Sequence, residues 1–362
     1  MNATQQLHDL GQSIWLDNVS PALLTSAALS RYIRELAVTG LTSNPATFDH
    51  AIQSGGSYDD AIGRMVREGK SGEPLFFELA LEDTRQTADL FRPIHDATDG
   101  VDGWVSLDVS PLLADHTTAT VLAAAQLHAR AQRANLFIKI PGNAAGIAAI
   151  EETIFAGVPV NVTLLFSREH YIAAAEAYMR GIERRIAVGL DPAVASVASI
   201  FVSRWDVAVT DEISDQVRNG LGIAIAMRTY KAYRDLLASK RWQQLAAAGA
   251  RPQRLLWAST GSKDPATSDT LYVEALAAPD TINTMPEKTL LAFADHGQVK
   301  GNMPIDGGYA EAVLAEFTRE GVNDEVLAAD LQRRGTTALA ESWRQLMSSI
   351  AARSELLTQG RP

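Results

Sequence analysis

The chain of 362 residues contains no cysteine. That absence excludes disulfides, thiol nucleophiles and cysteine-ligated metals. No run of 18 or more residues is apolar enough to span a membrane. The opening residues, MNATQQLHDLGQSIWLD, lack the charged n-region and apolar h-region of a secretory signal. Basic residues are outnumbered, 32 Lys and Arg against 43 Asp and Glu, for a net charge of −11 and a pI near 5.2. That balance has the wrong sign for nucleic acid, and no basic block marks a membrane-surface segment. The seven histidines show no HExxH or other metal-ligand spacing. There is no Walker A sequence, and GLGIAIA (220–226) lacks the third glycine of a dinucleotide fingerprint. No Pro/Gly/Ser-rich linker, low-complexity tract or short-period repeat divides the chain. The expectation is a cytoplasmic protein with no nucleic-acid or membrane partner.

What is present is alternation. Short β-branched or apolar runs, SIWLD (13–17), TGLTS (39–43), WVSLDV (104–109), LFIKI (136–140), PVNVTLLF (159–166), ASIFVS (198–203), RLLWAST (254–260) and DTINTM (280–285), read as strands. Between them lie stretches such as HTTATVLAAAQLHARAQ and AAGIAAIEETIF, with apolar residues at helical spacing. Strands alternating with helices imply βαβ units and a parallel sheet. Eight such units predict an α/β fold, a single (β/α)8 barrel of TIM type. A doubly wound sheet is the alternative, because periodicity does not show closure. With 46% hydrophobic residues the core is well supplied. Residues 46–100 read as a helical insertion of about three segments, and 301–362 as a C-terminal helical extension. One barrel domain over 1–362 is expected.

Strands buried on both faces should be continuously apolar. Here polar residues interrupt them with a period of two, towards the later positions. Asp17 ends IWLD, Ser106 and Asp108 alternate with Val105 and Leu107, and Lys139 alternates with Ile138 and Ile140. Asn161 and Thr163 alternate with Val160, Val162 and Leu164; Thr42, Asn44, Ser199 and Ser259 follow the same rule. Successive strand side chains point to opposite faces, so this set faces inward, at the barrel mouth where active sites of the architecture lie. Small polar residues also cap strand ends for no functional reason. A lysine and two carboxylates on three strands are less easily explained that way.

Lys139 is one of only seven lysines, and the other six lie in polar helix or loop contexts. An ordinary lysine side chain is unprotonated in roughly one molecule in 2,500 at pH 7. Desolvation among Phe137, Ile138 and Ile140 would disfavour the ammonium. A free amine attacks a carbonyl to form a Schiff base, an electron sink for cleaving a neighbouring C–C bond. Asp17 and Asp108 could shuttle the protons, although their charge favours the ammonium. A structural Lys–Asp ion pair would give the same pattern. WASTGSKDP (257–265) could hold a phosphate through backbone amides and Lys263, with Arg204 joining from beyond the sixth strand; a solvated loop is the alternative.

The blocks GLTSNPATF (40–48), FIKIPGNAAGIAAI (137–150), VNVTLLFS (160–167), VASIFVSRWD (197–206) and LLWASTGSKDP (255–265) together resemble the transaldolase family. With LYVEALAAPDTINTMPEKTLLAFADHG (271–297) they look like its longer bacterial branch, which includes transaldolase modules fused to phosphoglucose isomerase. The resemblance implies a circularly permuted barrel with a class I mechanism, needing neither metal nor cofactor. It implies transfer of a dihydroxyacetone unit between sugar phosphates of the pentose phosphate pathway, as monomer or homodimer. Lys139 would form the Schiff base with a ketose phosphate, and Asp17 would take the C4 hydroxyl proton. Thr42, Asn44, Asn161, Thr163 and Ser199 match positions holding substrate hydroxyls or the catalytic water. Phe201 lines that water site in the resemblance, and Arg204 and Ser259 match phosphate-binding positions. Two residues depart from the pattern. Asp108 stands in VSLDV where VSxEV has glutamate, which draws the carboxylate back by about 1.5 Å, a scale on which misplacement can cost 100-fold. Lys263 follows Ser259 where other branches carry arginine, offering a point charge in place of a bidentate fork. The alternatives are an enzyme like the shorter fructose-6-phosphate aldolases, which carry tyrosine where this chain has Phe201, or a non-catalytic sugar-phosphate-binding barrel.

Overall fold

The protein is described here from a computed structural model over residues 2–17, 23, 27–214 and 217–359. Eight strands form where the β-branched and aromatic runs predict them: β1 Gln12–Asp17, β2 Val38–Thr42, β3 Val105–Asp108, β4 Leu136–Pro141, β5 Val160–Leu165, β6 Ser196–Phe201, β7 Arg254–Ala258 and β8 Thr281–Met285. All pair in parallel and in sequence order. The strand β8 pairs back onto β1, Gln12 beside Thr281 and Leu16 beside Met285, which closes the barrel and excludes the open sheet.

Helices return the chain outside the barrel, and their starts are chemically marked. Ala144–Phe155 begins at Asn143, whose side chain accepts from the Gly146 amide and satisfies one of the unpaired first-turn donors. Pro45 opens the helix Pro45–Ser54, where a missing N–H costs nothing. Among the described residues no helix is long and apolar enough to cross a membrane.

The lower barrel interior is filled. Trp15, Trp104, Phe137, Val197, Leu256 and Ile282 form an inner apolar cluster separate from the larger core between strands and helices. Trp104 and Phe137 stack with ring centroids 4.1 Å apart. Gly40 makes room for Trp15, since a Cβ at that position would lie 2.5 Å from the indole. This plug confines open space to the C-terminal end of the strands, one layer above.

Three helices, Pro45–Ser54, Asp59–Arg67 and Gly72–Ala97, occupy the segment between β2 and β3. The described residues end in a C-terminal helix of 36 residues, Asp324–Gln359. These two additions pack on each other. Trp343 of the last helix is fully buried, meets Phe76 edge-on at 4.9 Å and donates its indole N–H to Glu73 at 2.6 Å. Arg353 pairs with Asp59 further along. The insertion is thus a platform for the C-terminal helix. Trp343→Ala should lower unfolding stability by about 3–5 kcal/mol, the usual range for a buried tryptophan, as read from a urea titration.

Candidate active site

Adjacent parallel strands carry their inward residues at matching heights. The register sets Asp108 beside Lys139, Lys139 beside Asn161, and Asp17 beside Thr42. The result is a polar ring above the aromatic plug. The Lys139 ammonium Nζ lies 3.4 Å from Asp108 Oδ1 and donates to the Ser43 carbonyl at 3.0 Å. Ser43 Oγ donates to the other oxygen of Asp108, at 3.1 Å. Thr42 donates to Asp17 Oδ1 at 2.9 Å and lies 3.2 Å from the Thr284 hydroxyl. Lys139 and Asp108 each keep 13% of their side-chain surface exposed, enough to meet a small molecule.

Burial pushes the Asp108 carboxyl up, while the charge of Lys139 and the hydrogen bonds from Ser43 and Lys139 pull it down and Asp17 adds to the rise. The carboxyl is therefore a better proton acceptor than an exposed aspartate.

A cavity of about 700 Å³ opens over this ring. It is lined by Asp17, Thr42, Asn44, Asp108, Lys139, Thr163, Ser199, Phe201, Arg204, Ser259 and Lys263, all expected from the sequence. Asn161 lies outside the lining: fully buried, it donates to Ser106 Oγ at 3.0 Å and accepts from Ser199 Oγ at 2.7 Å, so it orients the serine that does face the cavity. Asn44 serves twice, since its side-chain oxygen caps the helix Pro45–Ser54 at the Ala46 amide, leaving its NH₂ for a ligand.

At the ends of β6 and β7 the cavity becomes cationic. The Arg204 guanidinium lies over the Phe201 ring at 4.9 Å, and burial draws its pKa down while Asp17 raises it. Among the described residues neither Arg204 nor Lys263 forms an ion pair with a carboxylate, so both charges remain available. Ser259 and Ser203 bring their hydroxyls within 3.0 Å of each other beside them.

The structure corrects three expectations. Ile138 and Ile140 point into the outer core and Phe137 into the plug below, so they do not wrap the Lys139 amine; its neighbours in register, Asp108 and Asn161, are polar. Strict alternation along β5 turns Leu164 to the helices with Val160 and Val162. It packs in that core and also lines the cavity, because its φ of 59° and the β5–β6 register shift break the alternation. Ser259 reaches the mouth for a similar reason: Leu256 and Ala258 face inward, and a φ of 57° turns the next residue back.

Sequence reasoning missed Ser43, Ser203 and Thr284, and it missed one wall altogether. Leu331, Arg334, Gly335, Ala338 and Leu339 of the C-terminal helix cover one side of the cavity. Their spacing of about one helical turn was legible, but not what they face. Gln332 fastens the helix by donating to the Gly142 carbonyl at 3.1 Å and the Leu164 carbonyl at 3.0 Å. Gly335 permits the approach, since a Cβ there would meet Leu164 at 3.0 Å and Arg204 at 3.5 Å.

Residues 14–350 match the family model described as transaldolase/fructose-6-phosphate aldolase. The chain belongs to this family. Transaldolase 1 of Streptomyces avermitilis is 42% identical over 357 residues, covering 96% of this chain and 94% of that protein. The transaldolase of Parafrankia sp. is 43% identical over 350 residues, covering 94% and 95%. The transaldolase of Renibacterium salmoninarum is 42% identical over 358 residues, covering 96% and 95%. The family-model match runs to residue 350 and so takes in most of the C-terminal helix. Substitution at Gly335 separates the wall from the rest of the helix. Gly335→Ala should keep activity, with the helix-propensity gain of about 1 kcal/mol offset by the shift that its Cβ, 3.0 Å from the Leu164 side chain, forces on that leucine. Gly335→Leu, with a side chain projecting beside Arg204, should raise KM for phosphorylated substrates about tenfold, a loss of roughly 1.4 kcal/mol of binding. Steady-state kinetics and thermal melts of both variants check this.

Proposed function

We propose that the protein is a transaldolase, moving a dihydroxyacetone unit from fructose 6-phosphate or sedoheptulose 7-phosphate to erythrose 4-phosphate or glyceraldehyde 3-phosphate. The observation that carries this is the Lys139–Asp108 pair at the floor of a cavity whose far side holds the unpaired cations Arg204 and Lys263. A phosphate bound by those cations and the serines beside them leaves the sugar chain to run towards the lysine. The hydroxyls of Thr42, Thr163 and Ser199 and the amide of Asn44 are the polar groups along that path.

The proton inventory follows the geometry. Asp108 takes a proton from the Lys139 ammonium, and the free amine attacks the C2 carbonyl of the ketose. The protonated Asp108 returns the proton to the carbinolamine hydroxyl, which leaves as water and gives the iminium. Asp17 accepts the C4 hydroxyl proton while the C3–C4 bond breaks, its electrons passing into the iminium to form an enamine. The aldose phosphate departs. The enamine then attacks the carbonyl carbon of the incoming aldose phosphate, Asp17 gives its proton to the new hydroxyl, and water releases the product from Lys139. Acceptor and departing aldose share one phosphate site, which suits a single cationic region.

We read residues 1–362 as one working unit, in which 46–100 supports the C-terminal helix and 301–362 supplies one wall of the cavity. A sugar-phosphate enzyme of this kind is expected in the cytoplasm.

The test is borohydride trapping. With fructose 6-phosphate the wild type should gain a dihydroxyacetone-sized adduct on Lys139, and Lys139→Ala should lose both the adduct and turnover by about 1,000-fold or more while melting normally. Turnover near wild type in that variant would refute the assignment. Release of free dihydroxyacetone in place of transfer to erythrose 4-phosphate would identify a simple aldolase, and absence of any adduct a binding barrel.

A further inference from the structure

The Lys139–Asp108 pair is held by a residue that does not line the cavity. Ser43 follows β2, is buried to 4% exposure, and touches both members of the pair with different atoms. Its carbonyl accepts from Lys139 Nζ at 3.0 Å and its hydroxyl donates to Asp108 Oδ2 at 3.1 Å. Asp108 Oδ1 completes the ring at 3.4 Å from Nζ. The aspartate thus presents one oxygen to the amine while the other is tied.

The loop that delivers Ser43 is fixed on both sides. Thr42 is the last residue of β2 and its side chain bonds Asp17 and faces Thr284. Asn44 has φ −147° and ψ 130°, the extended geometry required of a residue before proline, and its side chain caps the following helix. With both neighbours held, the Ser43 carbonyl and hydroxyl cannot turn away from β3 and β4 without breaking a cap or a strand end. A short carboxylate swings about only two side-chain bonds, so a single hydrogen bond at the rear oxygen decides where the front oxygen lies.

We propose that Ser43 is a positioning residue for proton transfer between Lys139 and Asp108, its hydroxyl aiming the aspartate and its carbonyl aiming the amine. This rests on the Schiff-base reading above. The charged groups facing Asp108 are Lys139 from β4 and Asp17 from β1; Lys139 favours the carboxylate and Asp17 opposes it. The Ser43 hydroxyl adds to the side of Lys139. Its removal therefore shifts Asp108 towards the protonated form, in which it cannot accept the lysine proton. The acid limb of the rate profile moves to higher pH.

The experiment compares wild type, Ser43→Ala and Ser43→Thr with fructose 6-phosphate and erythrose 4-phosphate. Ser43→Ala removes the hydroxyl and keeps the carbonyl. Its kcat should fall about tenfold or more, the scale of one hydrogen bond to a charged group, with KM within about twofold of wild type. The acid limb of kcat/KM should move up in pH, and the single-turnover rate of borohydride-trappable adduct formation should fall in step with kcat. Ser43→Thr should recover most of the lost rate. In an Asp108→Asn background, Ser43→Ala should add little further loss, because the acceptor it aims is gone. Unchanged kcat and pH profile in Ser43→Ala would overturn the proposal, as would an equal loss in the Asp108→Asn background. The wild-type adduct is the control: its absence sinks the Schiff-base reading itself, whereas its presence with an indifferent Ser43→Ala sinks only the role of Ser43.

Discussion

Two opposite charges on neighbouring strands, Lys139 and Asp108, set the demands that the rest of the barrel meets. Removing either charge from water is costly, and their mutual attraction repays that cost only with good geometry and further hydrogen bonds. Parallel pairing supplies the geometry, since Asp108 and Lys139 are partners in the β3–β4 register. Ser43 supplies the extra bonds. The aromatic plug beneath, stacked around Trp104 and Phe137, keeps the pair from sinking deeper, so both groups stay at the floor of an open cavity. An arrangement costly for stability, placed where a substrate can reach it, is what a catalytic site requires.

The remainder of the site divides by charge. Carboxylates and the amine occupy the ends of β1, β3 and β4, while Arg204 and Lys263 stand beyond β6 and β7. Separation of the two groups around the ring leaves the cations unquenched and free for an anion. The hydroxyl and amide groups between them are neutral and short, suited to a polyol. Phe201, stacked under Arg204, holds the guanidinium without neutralising it.

Most of the strand ladder and most of the polar part of the cavity lining were legible in the sequence, for one reason. Strand side chains alternate, and in a filled barrel any polar residue on the inward face near the C-terminal end has one place to go. Lys139, Asp17 and Asp108 stood out on that rule alone. The rule failed where the backbone left extended geometry: Leu164 and Ser259, both with positive φ, changed sides. It was silent on Ser43, whose contribution is partly a carbonyl oxygen that every residue type carries. It was silent also on the wall formed by Leu331, Gly335 and Ala338, because helical spacing gives a face but not its partner. Family resemblance named the chemistry, and Asp108, one methylene shorter than the usual glutamate, lies 3.4 Å from the Lys139 amine.

The C-terminal helix follows all eight strands in the chain, and Gln332 fastens it to the strand ends that flank Lys139. A nascent chain stopped before residue 324 would hold the lysine, both aspartates and both cations, yet its mouth would stand open on one side. Reactive aldehydes could then reach the amine without the selection that a closed wall imposes. Order along the chain therefore has a consequence in time: the groups on the strand ends can assemble before the helix that screens them has docked.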